Sequence, residues 1–218
     1  MEFLQFADRH DAGKRLGLEL QRERLHDPLV LGLPRGGIPV AAEVAAALGA
    51  PLDTIVVRKI GAPFQPELAV GAIASGNVRV YNEELVPGVF APDDPQIREI
   101  TAREQRELER RERLYRGTKL RPELAGRDVI LVDDGLATGS TMRAAIDAVR
   151  LGAPARVIVA VPTGARRTVD ALAAAADRVI CLLTPEPFYA VGQAYRHFDQ
   201  TSDEEVRHLL ARAGNETS

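Results

Sequence analysis

Short apolar runs alternate along this chain with longer stretches whose apolar positions recur every three or four residues, the pattern of strands alternating with helices. Runs at 29–33, 54–58, 129–132, 157–161 and 179–183 read as strands. The stretch 129–132, Val-Ile-Leu-Val, has no polar member and predicts a central parallel strand covered on both faces. Helices are predicted at 11–22, with Ala12, Leu16 and Leu20 on one face, at 39–48, with proline in the opening turn, at 142–151, and near 166–175. The alternation predicts an α/β fold built on a doubly wound parallel sheet. Residues 68–81 interrupt it, because 68–74 and 78–81 flank Ser75-Gly76-Asn77 as a hairpin expected outside the parallel core. A helical insertion is expected at about 93–117, opened by Asp94-Pro95. Its pairs Glu99/Arg103, Glu107/Arg111, Glu109/Arg113 and Glu112/Arg116, each four apart, predict a solvated helix. The sparse stripe Ile97, Ile100, Leu108 and Tyr115 leaves room for packing on a neighbour, including a homodimer contact.

At 218 residues, with 45% hydrophobic and 27% charged residues, the chain is expected to form one domain around a sizeable core. No apolar stretch is long enough to span a bilayer, and residues 1–10 lack the layout of a signal peptide, so a cytoplasmic protein with no membrane partner is expected. A net charge of −3, with acids interleaved among the arginines of 93–117, argues against nucleic acid as a partner. Of 28 basic residues only Lys14, Lys59 and Lys119 are lysines, so a lysine beside a loop of interest is informative. Cys181, the single cysteine, lies inside an apolar run and reads as core rather than nucleophile.

The chemistry concentrates where the 129–132 strand ends. Asp133 and Asp134 emerge at its carboxyl end, the place where open α/β sheets bind ligands. Ala137, Thr138, Gly139, Ser140 and Thr141 then offer successive backbone N–H groups at the start of a helix, an arrangement suited to a phosphate monoester. An ordinary capped turn needs one acid rather than two. Neither competing phosphate motif fits: no lysine follows Gly139, and no triply spaced glycine fingerprint for a dinucleotide is present.

This run resembles the binding motif for 5-phosphoribosyl 1-diphosphate (PRPP) in type I phosphoribosyltransferases: apolar strand, acidic pair, two small or apolar residues, then a Thr/Ser/Gly-rich loop. The resemblance implies that sheet, with a small C-terminal hood at about 184–218. It also implies that residues 137–141 hold the 5′-phosphate, while Asp133 and Asp134 address the ribose hydroxyls directly or through Mg²⁺. A second strand-to-helix junction, Pro34-Arg35-Gly36-Gly37, brings a guanidinium, bare backbone and a helix terminus together and would suit pyrophosphate. It resembles the family's pyrophosphate loop, in which the bond before the arginine can be cis. Arg58 and Lys59 resemble the cation pair that precedes a mobile loop in the adenine and orotate enzymes, which makes 61–72 a lid and Glu67 a carboxylate facing the acceptor. Phe188 and Tyr189, in a segment similar to the base-binding hood of purine enzymes, are the aromatic candidates for a planar acceptor, with core packing as the alternative for both. Over nearly its whole length the chain is similar to a bacterial group of predicted phosphoribosyltransferases.

Departures from the family narrow the acceptor. Where 6-oxopurine enzymes carry an aspartate in the phosphate loop and a lysine after the next strand, this chain has Ala137 and Pro162-Thr163, which disfavours hypoxanthine and guanine. The resemblance therefore implies a Mg²⁺-dependent transferase acting on PRPP and a small nitrogenous acceptor, a nucleobase, with Asp133, Asp134, Arg58 and Lys59 as the catalytic group. Two other classes compete: a PRPP- or nucleotide-binding regulator without turnover, and an oxidoreductase, which lacks its fingerprint.

Overall fold

The structure, a computed structural model, describes residues 5–76, 78–81, 92 and 94–215. Its elements follow in the order α1 (Arg9–Leu20), β1 (Leu29–Gly32), α2 (Gly37–Leu48), β2 (Leu52–Thr54), β3 (Val57–Ala62), β4 (Gln65–Ala74), β5 (Val78–Tyr81), α3 (Pro95–Arg116), β6 (Asp128–Val132), α4 (Ser140–Arg150), β7 (Arg156–Thr163), α5 (Arg166–Leu172), β8 (Arg178–Leu183) and α6 (Asp203–Asn215). A five-stranded sheet in the order β2-β1-β6-β7-β8 is parallel throughout. Strand β6 lies at its centre because every residue from 128 to 132 can be buried. Val129 and Leu131 pack with Met142, Ile146 and Val149 of α4, whereas Ile130 and Val132 pack with Leu16 of α1 and Val40 and Val44 of α2. Side chains that alternate along a strand thus bury both faces. The doubly wound α/β sheet expected from the pattern is present.

The hairpin does lie outside that sheet, in a three-stranded antiparallel layer of order β3-β4-β5. Two expectations are corrected there. Residues 54–58 are not one strand: Ile55 N–H still bonds the β1 carbonyl of Gly32 at 3.1 Å, whereas Val56 N–H turns to the Ser75 hydroxyl at 2.9 Å. The chain therefore changes sheets between β2 and β3. The expected lid at 61–72 is also not a loop, since it forms the end of β3 and most of β4, paired to one another.

Helix α3 begins where Asp94 and Pro95 predict, with the Asp94 carboxylate accepting from Gln96 N–H at 2.8 Å. Its charged face is largely exposed, as expected, while its apolar stripe is packed. Ile97, Leu108 and Tyr115 are buried against Ile60 and Ile73 of the antiparallel layer and Val206 and Leu210 of α6, so its apolar stripe finds its neighbour within the chain. Glu107–Arg111 closes at 2.8 Å and Glu112–Arg116 at 3.6 Å, but Arg103 turns to Glu104 rather than to Glu99. Burial raises the Cys181 thiol to about 11, consistent with an inert packed side chain. Among the described residues no helix is long and apolar enough to cross a membrane.

Candidate functional site

Strands β1 and β6 are hydrogen-bonded neighbours, so the two junctions singled out in the sequence leave the sheet side by side. The Leu33 N–H bonds the Val132 carbonyl at 2.9 Å, which carries the turn 34–37 across the acid pair. The Pro34–Arg35 bond is cis, as the resemblance allows. A β-carbon on Gly36 would overlap the Asp134 carboxylate, and one on Gly37 would lie 2.7 Å from the Val132 carbonyl oxygen and 2.8 Å from the Asp133 Cα. Glycine is needed at both positions because backbone and carboxylates approach without room for a side chain. Asp133 and Asp134 share this space, with the Asp134 N–H donating to Asp133 Oδ1 at 2.8 Å. Burial, and then the neighbouring Asp134 charge, hold Asp133 well above the usual carboxylate range; burial also raises Asp134, opposed by Arg9. The two titrate as a pair.

Beyond the acids the chain is anchored through its backbone. Leu136 N–H bonds the Thr163 carbonyl at 2.9 Å, and the Thr168 hydroxyl donates to the Ala137 carbonyl at 2.7 Å. Gly139 takes the left-handed conformation, with φ of 74°, and caps α4. Among the described residues the N–H groups of Ala137, Thr138 and Gly139 bond no protein acceptor, and the Thr138 and Ser140 hydroxyls sit 3.1 Å apart beside them. Together with the Thr141 N–H in the first turn of α4, whose Ser140 N–H leans only weakly on the Thr138 hydroxyl at 3.5 Å, they form a concave array of donors at a positive helix terminus.

The cations are less uniform than the sequence implies. Arg35 projects toward the start of α6, 3.8 Å from Asp203, which also accepts from the Tyr115 hydroxyl at 2.6 Å. Arg58 is committed to Glu104 of α3, with Nε and NH2 at 2.9 and 2.7 Å from one carboxylate oxygen. Lys59 has no ion pair among the described residues, and strand alternation puts it on the face of β3 shared with Val57, which packs toward α4. A cleft of about 780 Å³ connects Lys59 to Thr141. Phe188 and Tyr189 are not core residues: Tyr189 is 83% exposed, and both line an open cavity of about 560 Å³ with Ala137, Thr138, Arg166 and Arg167. Glu67 lies on β4, with its side chain outside the described ones.

Several members of the site have no signal in the sequence. Arg9 donates from Nε and NH2 to Asp134 Oδ2 at 2.9 and 2.8 Å, the Tyr195 hydroxyl donates to the Asp134 carbonyl at 2.6 Å, and Phe198 lies under the Arg9 guanidinium. None belongs to a local motif. Only the aromatic density of 195–198 marks that end of the chain. Arg166 and Arg167 follow β7 closely enough that the search for a lysine there could have found them. No group of three or more His, Cys, Asp or Glu side chains able to hold a metal occurs among the described residues.

A family model described as a phosphoribosyl transferase domain matches residues 4–197. A Mycobacterium tuberculosis H37Rv protein provisionally named phosphoribosyl transferase is 48% identical over 208 residues, covering 95% of this chain and 47% of that protein. The chain thus spans about half the length of the curated relatives it matches. The Chloroflexus aurantiacus bifunctional protein PyrR is 31% identical over 63% of this chain and 56% of its own length. Among solved structures, TT1426 from Thermus thermophilus is 42% identical with a TM-score of 0.87, covering 95% of this chain and 98% of that one.

Proposed function

The chain belongs to the phosphoribosyl transferase family, and on that ground we propose that it is a Mg²⁺-dependent transferase in which an acceptor nitrogen displaces pyrophosphate from C1 of PRPP. One observation carries the reading: the Arg35-Gly36-Gly37 turn lies directly against the Asp133-Asp134 pair, with the bare N–H groups of 137–139 following after two intervening residues. A sugar held at the acids would therefore reach one donor array with its 5′-phosphate and the other with its diphosphate.

In the reaction the acceptor nitrogen lone pair forms a bond to C1 as the C1–O bond breaks. Its electrons leave on pyrophosphate, and the acceptor N–H proton is lost. The transition state is a ribosyl oxocarbenium ion, so the protein gains most by fixing both phosphates and by meeting charge where it develops. Residues 137–141 anchor the 5′-phosphate, and Asp133 and Asp134 hold the ribose hydroxyls and face the positive sugar. Arg35, the 34–37 backbone and Lys59 meet the leaving group, and Arg58 joins them if it exchanges Glu104 for the anion. The acid pair fits Mg²⁺ only in part, because two carboxylates without a third ligand leave an oxygen-seeking ion to be completed by ribose hydroxyls, phosphate and water. When bound, the ion would supply charge neutralisation at pyrophosphate.

Arg35→Ala separates the two anion sites. It should weaken PRPP and pyrophosphate binding while sparing ribose 5-phosphate, measured by calorimetry; equal weakening of all three ligands would mean that Arg35, near Asp203, only supports the fold.

The acceptor is a nucleobase other than a 6-oxopurine. Ala137 puts no carboxylate at the rim of the cavity that Phe188 and Tyr189 line, and Pro162 and Thr163 are buried in β7. A polar base edge left unmatched costs about 1–3 kcal/mol per group, so hypoxanthine and guanine should give negligible transfer. Pyrophosphate release across a panel of bases tests both points, and efficient nucleotide formation from hypoxanthine or guanine would overturn the acceptor assignment. The likeness to a bifunctional PyrR protein favours one second reading, a PRPP- or nucleotide-binding regulator without turnover. Tight PRPP binding with no release on any base would select it.

A further inference from the structure

The Arg9 guanidinium lies inside the candidate site, yet it comes from the first residue of α1, 125 positions before the carboxylate it meets. All three of its nitrogens are committed. Nε and NH2 donate to the same oxygen of Asp134, Oδ2, at 2.9 and 2.8 Å, and NH1 donates to the Asp199 carbonyl at 2.6 Å. Its flat face lies 3.9 Å from the centroid of Phe198, which stacks on Tyr195 at 4.9 Å, and the Tyr195 hydroxyl returns to the Asp134 carbonyl at 2.6 Å. With its side chain 12% exposed, Arg9 is a fixed cation built into the wall of the site rather than a mobile surface arginine.

A fixed cation on one oxygen of a carboxylate pair acts in two ways. The Asp134 side chain is held in one orientation, with Oδ2 between the guanidinium and Gly36. In addition, a permanent positive charge stands where two adjacent carboxylates would otherwise attract a divalent ion. We propose that Arg9 is a positioning residue that presents Asp134 to the ribose and, as a built-in counter-cation, keeps the free acid pair from holding a divalent metal. This rests on the reading that the pair meets ribose and Mg²⁺.

The test uses the whole chain and two titrations, Mn²⁺ alone followed by its paramagnetic resonance signal, and PRPP with Mg²⁺ followed by calorimetry. Arg9→Met should tighten Mn²⁺ binding by about tenfold or more and weaken PRPP binding by a similar factor, the scale of a charge-assisted hydrogen bond. Arg9→Lys keeps the charge without the planar fork, so Mn²⁺ binding should stay weak while PRPP affinity falls. Guanidinium added to Arg9→Ala should restore PRPP binding, which a loss of fold would not allow. A folded Arg9→Met variant that binds Mn²⁺ and PRPP as the parent does overturns the proposal; if that variant does not fold, parental PRPP affinity in Arg9→Lys overturns it. Failure of the parent itself to bind PRPP would instead overturn the functional reading, and the Mn²⁺ comparison would still decide the role of Arg9.

Discussion

With Asp133 and Asp134 both changed to asparagine, the melting temperature should no longer rise when PRPP and Mg²⁺ are added. A ligand at one hundred times its Kd stabilises the native state by about 2.7 kcal/mol, which for a chain of this size is roughly 5–10 °C in the parent protein. The effect in the free protein should run the other way for Asp133→Asn alone. Burial and the adjacent Asp134 raise the Asp133 pKa above its unfolded value, so the native state favours the protonated form. The stability this contributes is present below the unfolded pKa and lost as pH rises through the raised native one. At neutral pH, where the unfolded carboxyl is ionised, the native state therefore bears a cost that a neutral amide removes, whether as a buried charge or as proton uptake. Asp133→Asn should melt at or above the parent without ligand, while its PRPP-induced rise shrinks. Thermal unfolding at pH 7 with and without PRPP measures both. An undiminished ligand-induced rise in the double variant would remove the acid pair from the site.

Gly36→Ala should strongly weaken PRPP binding in a protein that still folds. Gly36 has φ of −60° and ψ of −30°, a conformation alanine adopts freely, so the backbone itself does not resist the change. By entropy alone, such a substitution stabilises by about 0.4–1 kcal/mol. The added methyl, however, overlaps the Asp134 carboxylate and must push it off Arg9. A side chain can move, so the loss falls on the site, with PRPP affinity expected to drop by about a hundredfold or more, close to 3 kcal/mol. Gly37→Ala provides the contrast. There the obstacles are the Val132 carbonyl and the Asp133 Cα, backbone at the end of the central strand that cannot yield as a side chain can, so the loss should fall on stability instead. Calorimetry on both variants, with their melting curves, distinguishes the two. Parental PRPP affinity in Gly36→Ala would show that the 34–37 turn and the acids do not share a ligand.

The features legible in the chain alone are those whose causes are local. Four consecutive apolar residues placed β6 at the centre of a parallel sheet, since such a run can be buried on both faces. Asp94 and Pro95 marked the start of α3 because an N-cap and a proline without its N–H satisfy the first turn wherever it lies. The acid pair and the small-residue loop were legible for the same reason: strand end, turn and helix start are contiguous in the chain. Folding in three dimensions fixed whatever depends on partners far away in sequence. Nothing in Ile55 and Val56 tells which carbonyl or hydroxyl each N–H will meet, so the change of sheet between β2 and β3 was invisible. The charged face of α3 concealed Glu104, whose burial follows from the packing of α3 on β3 and α6 and whose carboxylate then claims Arg58. Arg9 could not be read at all, because a guanidinium and a carboxylate 125 residues apart become partners only when α1, the end of β6 and the aromatic segment at 195–198 converge.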